Sequence, residues 1–381
     1  MSGRTRRWIL GSGLALGAAG SGVGWYLLRD TPDNWGVPFA FLTDASVFYN
    51  RWDAKKRDPL FWWAALTNPQ VDPVGWRGDG AAWRMSIDGA VHRPTTIDAV
   101  AMNAIANADG TVALLKTMRC SGDSWDSRLA SNGVWTGVPL RTLLRRVGPT
   151  DDARRIRITS HDGFTANLAL DWLRTPDGRD TLLALQLNGK PLTHERGGPV
   201  RLIIPDRFGF KNVKWPARLE LTTEDTAWGN HEVDPGGGTD DGSVTLGSKI
   251  LKPDLRQSNP VAVAPAAPLL LAGVAFGGTA PVARVDVKLG DDAPWKRARL
   301  PRPKELEEHA EVARAWESVG KAWPLPDVWT PWTIHWSPKS PGDYRIQVRA
   351  TNARNQVQPD DDLDWLDANS AIARGIVRIT G

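Results

Sequence analysis

A single cysteine, Cys120, stands in a chain of 381 residues. One cysteine closes no internal disulfide, and by itself it builds neither a zinc nor an iron–sulfur site. A thiolate still ligates a metal that arrives with its other ligands in place. A lone cysteine is also commonly a small buried hydrophobe. The residue alone does not choose between these readings, but its surroundings bear on them. Cys120 ends the apolar segment Val112 to Met118, and Ser121-Gly122-Asp123 turns the chain immediately afterwards. That places the thiol at the end of a strand with an open loop beyond it, the exit from the core that a coordinating sulfur needs.

A chain of this length suggests two or three domains. The 20 tryptophans, against three tyrosines and eight phenylalanines, predict extensive core and inter-sheet packing. The net charge of +4 is small and the basic residues are scattered, which argues against a nucleic-acid partner. Alternation predicts strands at Trp83 to Gly89, Arg155 to Thr159, Val282 to Leu289 and Tyr344 to Ala350, and Leu182 to Leu187 is an apolar run before the tight turn Asn188-Gly189. Helical spacing predicts Thr96 to Ile105, Leu140 to Val147 and Glu305 to Val319. Residues 225–255, with Gly236-Gly237-Gly238 and Asp240-Asp241-Gly242, read as a long surface loop. After about residue 256, short alternating segments with Pro and Gly turns read as a β-sandwich.

The second informative stretch is Gly189 to Trp215. It gathers Arg196, Arg201, Lys211 and Lys214 around the glycines Gly197-Gly198. Forked and point cations beside backbone that a ligand can approach closely suit a phosphate. A solvated basic face is the plainer alternative.

Cys120-Ser121-Gly122-Asp123, then Trp135-Thr136-Gly137-Val138-Pro139-Leu140 and Leu143-Leu144, resembles the sulfite-oxidase family of molybdopterin enzymes. The Gly189 to Trp215 block resembles that family's N-G-x-P-L, H-G-x-P-x-R and G-x-K/R-x-V-K-W elements in register. The resemblance continues into the C-terminal segments Arg284 to Lys288, Trp332 to Trp336 and Arg349 to Asn352. It implies an α+β chain. A mixed α/β molybdopterin-binding domain (31–250) would be followed by an immunoglobulin-like β-sandwich (251–381) that pairs subunits as a homodimer. It implies a molybdenum–molybdopterin cofactor with one pterin, and Cys120 as the protein's ligand to the metal. Arg201 and Lys214 are implied to bind the pterin phosphate, with Lys211 in the same set and Asn212 beside it. Arg196 falls where many members have histidine. Tyr49 and Arg51 match a family element that touches the pterin or substrate, although Trp52 and Asp53 stand where Asn and His are usual. Asp162, in the turn Ser160 to Phe164, is a candidate polar contact, with turn stabilisation the alternative.

The family relationship implies two-electron oxygen-atom transfer on a small sulfur or nitrogen compound. Sulfite oxidases carry arginines just after the cysteine turn, where this chain has Ser124-Trp125. Arg128, Arg51 and Arg119 are the candidate replacements. An aromatic pocket lined by Trp125 would suit a neutral substrate, so reduction of S-oxides such as methionine sulfoxide is the rival reading. A non-catalytic, membrane-tethered binding protein on the same fold is a third. With one cysteine there is no haem-attachment C-x-x-C-H, so electrons would pass to or from a separate cytochrome or membrane quinone protein. Finally, Thr5-Arg6-Arg7-Trp8-Ile9-Leu10 fits a twin-arginine export signal. The uncharged stretch Trp8 to Leu28 is long enough to anchor in a membrane. The first 30 residues therefore predict a periplasmic protein, or one held at the outer face of the inner membrane.

Overall fold

The structure is a computed structural model. It describes residues 78–127, 129–226, 242–255, 261–263, 268–302, 322–362 and 370–380, with the single positions Glu305 and Ala368. The expected export segment, Tyr49, Arg51, Arg128, the glycine run at 236–238 and all but the first residue of the helix expected from Glu305 lie outside the described residues. Among the described residues no helix is long and apolar enough to cross a membrane.

The described chain, expected as α+β, is mostly β with two α-helices. Its first strands are β1 (Arg84–Gly89), β2 (Thr95–Asp98), β3 (Val112–Arg119) and β4 (Ala130–Pro139). They are followed by β5 (Arg155–Ser160), β6 (Thr165–Ala169), β7 (Leu182–Leu187), β8 (Lys190–Pro191), β9 (Arg201–Ile203) and β10 (Pro216–Thr222). The helices are α1 (Ala99–Asp109) and α2 (Leu140–Val147). These elements form two sheets, in the orders β2-β1-β10-β5-β6 and β3-β4-β7-β8, with β9 also paired to β7.

The expected helix over Thr96 to Ile105 is corrected: Thr95-Thr96-Ile97 is extended and pairs with β1. β-branched residues favour that state, and the helix begins only after Asp98, whose carboxylate accepts from the Ala101 N–H at 2.7 Å. α2 occupies Leu140–Val147 as its spacing predicts and ends on Gly148 in the left-handed region at φ 65°. Its Leu140, Leu143, Leu144 and Val147 join Met102 of α1 and the inner residues of β1, β5 and β10 in the largest core.

The remaining strands are β11 (Leu246–Lys252), β12 (Val261–Val263), β13 (Leu269–Gly277), β14 (Val282–Leu289), β15 (Lys296–Arg297), β16 (Thr330–Trp336), β17 (Gly342–Asn352) and β18 (Ala373–Ile379). They form sheets β11-β13-β16 and β12-β18-β17-β14-β15. One core packs Leu271, Ala275 and Trp332 from the first against Val285, Ile346, Val348 and Val377 from the second. β11 corrects the expected loop at 225–255: five of its seven residues are buried. The expected domain boundary at residue 250 falls inside this strand.

The two halves share a further core, in which Ala113, Leu115, Ala130 and Val134 of β3 and β4 meet Leu251, Ala272, Val274, Phe276 and Trp329. Because side chains alternate along a strand, this interface takes one face of the β3–β4 pair and leaves the other to the site.

Candidate functional site

Leu114, Met118 and Trp135 occupy that other face, with Leu182, Ala184, Leu187 and Ile203. Cys120 extends it. Its N–H donates to the Leu129 carbonyl at 2.9 Å, one rung beyond the Arg119–Ala130 pair. Alternation therefore puts its side chain on the side of Met118. Arg201 is paired with Ala184 across β9 and β7 and lies on the same face. The two stretches singled out in the sequence thus meet on one side of one sheet.

The cysteine turn is tightly specified. The thiol is buried at 5% exposure and its Sγ accepts from the Gly122 N–H at 3.3 Å. The Asp123 N–H donates to the Cys120 carbonyl at 3.1 Å. Asp123 itself is buried between two cations, Arg119 Nε at 2.9 Å and Lys249 Nζ at 2.8 Å. Burial pushes its carboxyl up, and Lys249 and Arg119 pull it down further, so the net position is below the usual range and the group stays ionised. Its Oδ1 also accepts from the Leu129 N–H at 3.1 Å and from the Ser127 hydroxyl. The loop is therefore closed on its own carboxylate.

The basic block is built around Gly197, at φ 98°. A Cβ there would lie 2.9 Å from Lys214 Cγ and 3.2 Å from Arg201 Cβ. Only glycine lets the two cationic stems flank the backbone so closely. Both are buried, and Arg201 donates to the carbonyls of Asn212 at 3.0 Å and Arg196 at 3.2 Å. The Arg201 guanidinium lies 5.4 Å from the centre of the Trp135 ring. The indole Nε1 of Trp135 is buried with no hydrogen-bond partner among the described residues. A buried donor left in this way is uncommon. An anionic, acceptor-rich group seated against Arg201 would complete it. These residues thus fit a pterin phosphate, and the thiol on the same face fits a soft metal. Among the described residues no group of three or more His, Cys, Asp and Glu side chains is placed to hold a metal ion. A metal at Cys120 would draw its other ligands from the cofactor.

Other expected site residues fall differently. Lys211 is buried, but its Nζ reaches the Asn167 carbonyl at 3.5 Å and lies 5.4 Å from the Trp172 ring, within the largest core. The Asn212 amide serves its own loop: Oδ1 accepts from the Ile204 N–H at 2.8 Å and Nδ2 donates to the Phe208 carbonyl at 2.7 Å. Arg196 donates to Thr193 Oγ1 at 3.0 Å. Asp162 caps its turn through the Phe164 N–H at 3.1 Å. Arg119, a candidate for substrate, is buried against Asp123 and the Thr245 carbonyl. Trp125, expected as a pocket wall, is partly buried and packs on the core between the last two sheets. The sequence reading missed Lys249 and Trp135 as parts of the site. The apolar Ile250-Leu251 beside Lys249 was the available signal for a buried strand.

Residues 72–228 match the family described as the oxidoreductase molybdopterin binding domain. Over 328 residues the chain is 25% identical to mitochondrial sulfite oxidase of Drosophila melanogaster, covering 77% of this chain and 52% of that protein. Over 175 residues it is 27% identical to an NADH nitrate reductase of Hordeum vulgare, covering 39% of this chain and 19% of that protein. The chain thus spans from about a fifth to about half the length of these relatives. Its fold is similar to the crystal structure of the sulfane dehydrogenase SoxCD from Paracoccus pantotrophus. The TM-score is 0.63 at 19% identity, over 81% of this chain and 80% of that one.

Proposed function

Because this chain belongs to the sulfite-oxidase family of molybdopterin oxidoreductases, we propose that it catalyses two-electron oxygen-atom transfer on a small sulfur or nitrogen compound. The observation that carries the reading is the convergence of the Cys120 thiol, Arg201 and the unpartnered Trp135 N–H on one face of one sheet. Molybdopterin, when bound, supplies the two-electron chemistry of molybdenum at the oxygen atom transferred.

The chain's own part is to hold and orient. Cys120 would give the metal its protein thiolate. Arg201 and Lys214 would fix the phosphate end, with the Trp135 N–H as a further donor and Arg196 at the rim. Tyr49, Arg51 and Arg128 are carried as contacts to pterin or substrate on the strength of the family pattern. Lys211, Asn212 and Asp162 would act at one remove, by shaping the loops that present the others.

A second reading, reduction of neutral S-oxides, draws support from the fate of Arg119. A dianion needs fixed cations near the metal, and this one is bound to Asp123 and the Thr245 carbonyl. The two sheets that share a core after residue 246 support an immunoglobulin-like sandwich suited to pairing subunits. Electrons would pass to or from a separate redox protein. The twin-arginine pattern supports export, with action in the periplasm or at the outer face of the membrane.

The test is the molybdenum and pterin content of the full chain, purified from a host that loads other molybdoenzymes. About one of each per chain, followed by turnover with sulfite or with S- and N-oxides, is the expected result. Protein free of metal and pterin would replace this reading with that of a non-catalytic binding protein.

A further inference from the structure

The loop that follows Cys120 is held from outside its own sheet. Lys249, on β11 of the second half, is buried at 1% exposure. Its Nζ donates to three acceptors of that loop: Asp123 Oδ1 at 2.8 Å, the Ser127 carbonyl at 3.1 Å and the Ser124 carbonyl. An ammonium has three donors, and all three are used on five consecutive residues. A second contact comes from the same side: the Ala368 N–H donates to the Ser121 carbonyl at 2.5 Å, beside Cys120 itself. Arg119 completes the clamp on the other carboxylate oxygen. The loop has little apolar content of its own to fix it, since Gly122 and Asp126 are exposed and only Trp125 reaches a core.

We infer that Lys249 is a positioning residue for the Cys120 thiolate, so that the second half of the molecule sets the geometry of the metal's protein ligand. This rests on the reading of Cys120 as that ligand. Lys249 touches neither metal nor substrate; it acts by fixing Asp123 and the carbonyls of residues 124 and 127. Metal geometry commonly depends on such supporting groups, whose loss costs roughly 10–100-fold in affinity or activity.

The experiment compares Lys249→Met with Lys116→Met/Asp327→Asn, which removes the other buried ion pair bridging the halves, whose further bonds run to the Arg207 carbonyl and the Asp206 N–H. In the loaded full chain, Lys249→Met should keep its molybdenum and pterin. Its Mo(V) paramagnetic resonance spectrum should shift, and kcat should fall about tenfold with KM within about twofold. In the cofactor-free full chain the single thiol can be labelled without ambiguity. Its rate of reaction with a thiol reagent should rise at least about tenfold in Lys249→Met and stay near wild type in Lys116→Met/Asp327→Asn. A wild-type spectrum and a wild-type labelling rate in Lys249→Met would overturn the inference. If that variant fails to accumulate, Asp123→Asn/Lys249→Met keeps the net charge of the cluster; an altered spectrum there supports the role and an unaltered one removes it. A wild-type protein that takes up no molybdenum defeats the ligand reading instead, and the labelling comparison then still decides whether Lys249 holds the loop.

Discussion

Two buried lysines cross between the halves of the molecule, and they are bonded to different kinds of structure. Lys116 leaves β3 and meets Asp327 in the segment before β16, where it also donates to the Arg207 carbonyl at 2.8 Å. Asp327 is fixed from several sides: its N–H donates to the Gly278 carbonyl, its carbonyl accepts from Thr117 and its Oδ2 accepts from the Asp206 N–H. Lys249 makes the reciprocal crossing, from β11 to Asp123 in the cysteine loop. The charge balance differs. Burial pushes Asp327 up to about 6, with neighbouring Asp206 adding to the rise against the pull of Lys116 and Arg179. Burial likewise pushes Lys116 down, against the attraction of Asp327. Asp123 has two cations at contact distance and stays ionised. One lysine joins rigid parts, while the other holds the loop that follows Cys120. The same pair of residue types therefore contributes stability in one place and geometry in the other.

The largest expected effect that could break this contrast is on stability. Lys116→Met leaves Asp327 buried beside Asp206 and should cost about 3–5 kcal/mol in denaturant unfolding. Lys116→Met/Asp327→Asn should recover most of it, because the desolvated charge is gone as well. Equal losses in the single and double variants would mean that packing, and not charge, is at stake there.

A further prediction concerns pH. Asp327 is raised on folding, so its contribution is full below about pH 4 and lost as pH rises through about 6. Asp123 is lowered, so its contribution is present above about pH 4 and lost on acidification. Asp327→Asn should therefore gain on wild type by roughly 1–3 kcal/mol between pH 4 and 6. Asp123→Asn should instead flatten the acid limb. Stability curves from urea titrations at stepped pH would separate the two, and parallel curves would contradict the assignment.

Gly197→Ala should have a smaller effect on folding, about 1–2 kcal/mol, from the strained φ and the contact with Lys214. Its effect on pterin content should be the greater one, since it parts the two cationic stems. Arg201→Gln should lower pterin content with a smaller change in unfolding, and unchanged pterin content would remove Arg201 from the proposed phosphate site.

Local pattern carried much of this structure. β7 falls on its apolar run, buried on both faces, and α2 falls where helical spacing puts it, ending on a left-handed glycine. The turn after Cys120 and the close approach at Gly197 were legible because their backbone geometry is local to a few residues. β11 was not, since Gly247, Ser248 and Lys249 carry no strand preference and are buried only through partners far along the chain, such as Val348 for Ser248. Trp125 and Lys249 show the same limit. A tryptophan next to a thiol reads as a pocket wall until the second core claims it, and a lysine reads as solvated until Asp123 is opposite it. Lys211 and Asn212 match the resemblance in sequence, yet their side chains are directed to the core and the loop backbone.

Counting the sulfur neighbours of the bound metal decides whether Cys120 is the protein's ligand to molybdenum. X-ray absorption at the molybdenum edge should find one sulfur fewer in Cys120→Ser than in wild type, with pterin still bound and turnover lost. An unchanged sulfur count in the variant, with turnover intact, would contradict the account.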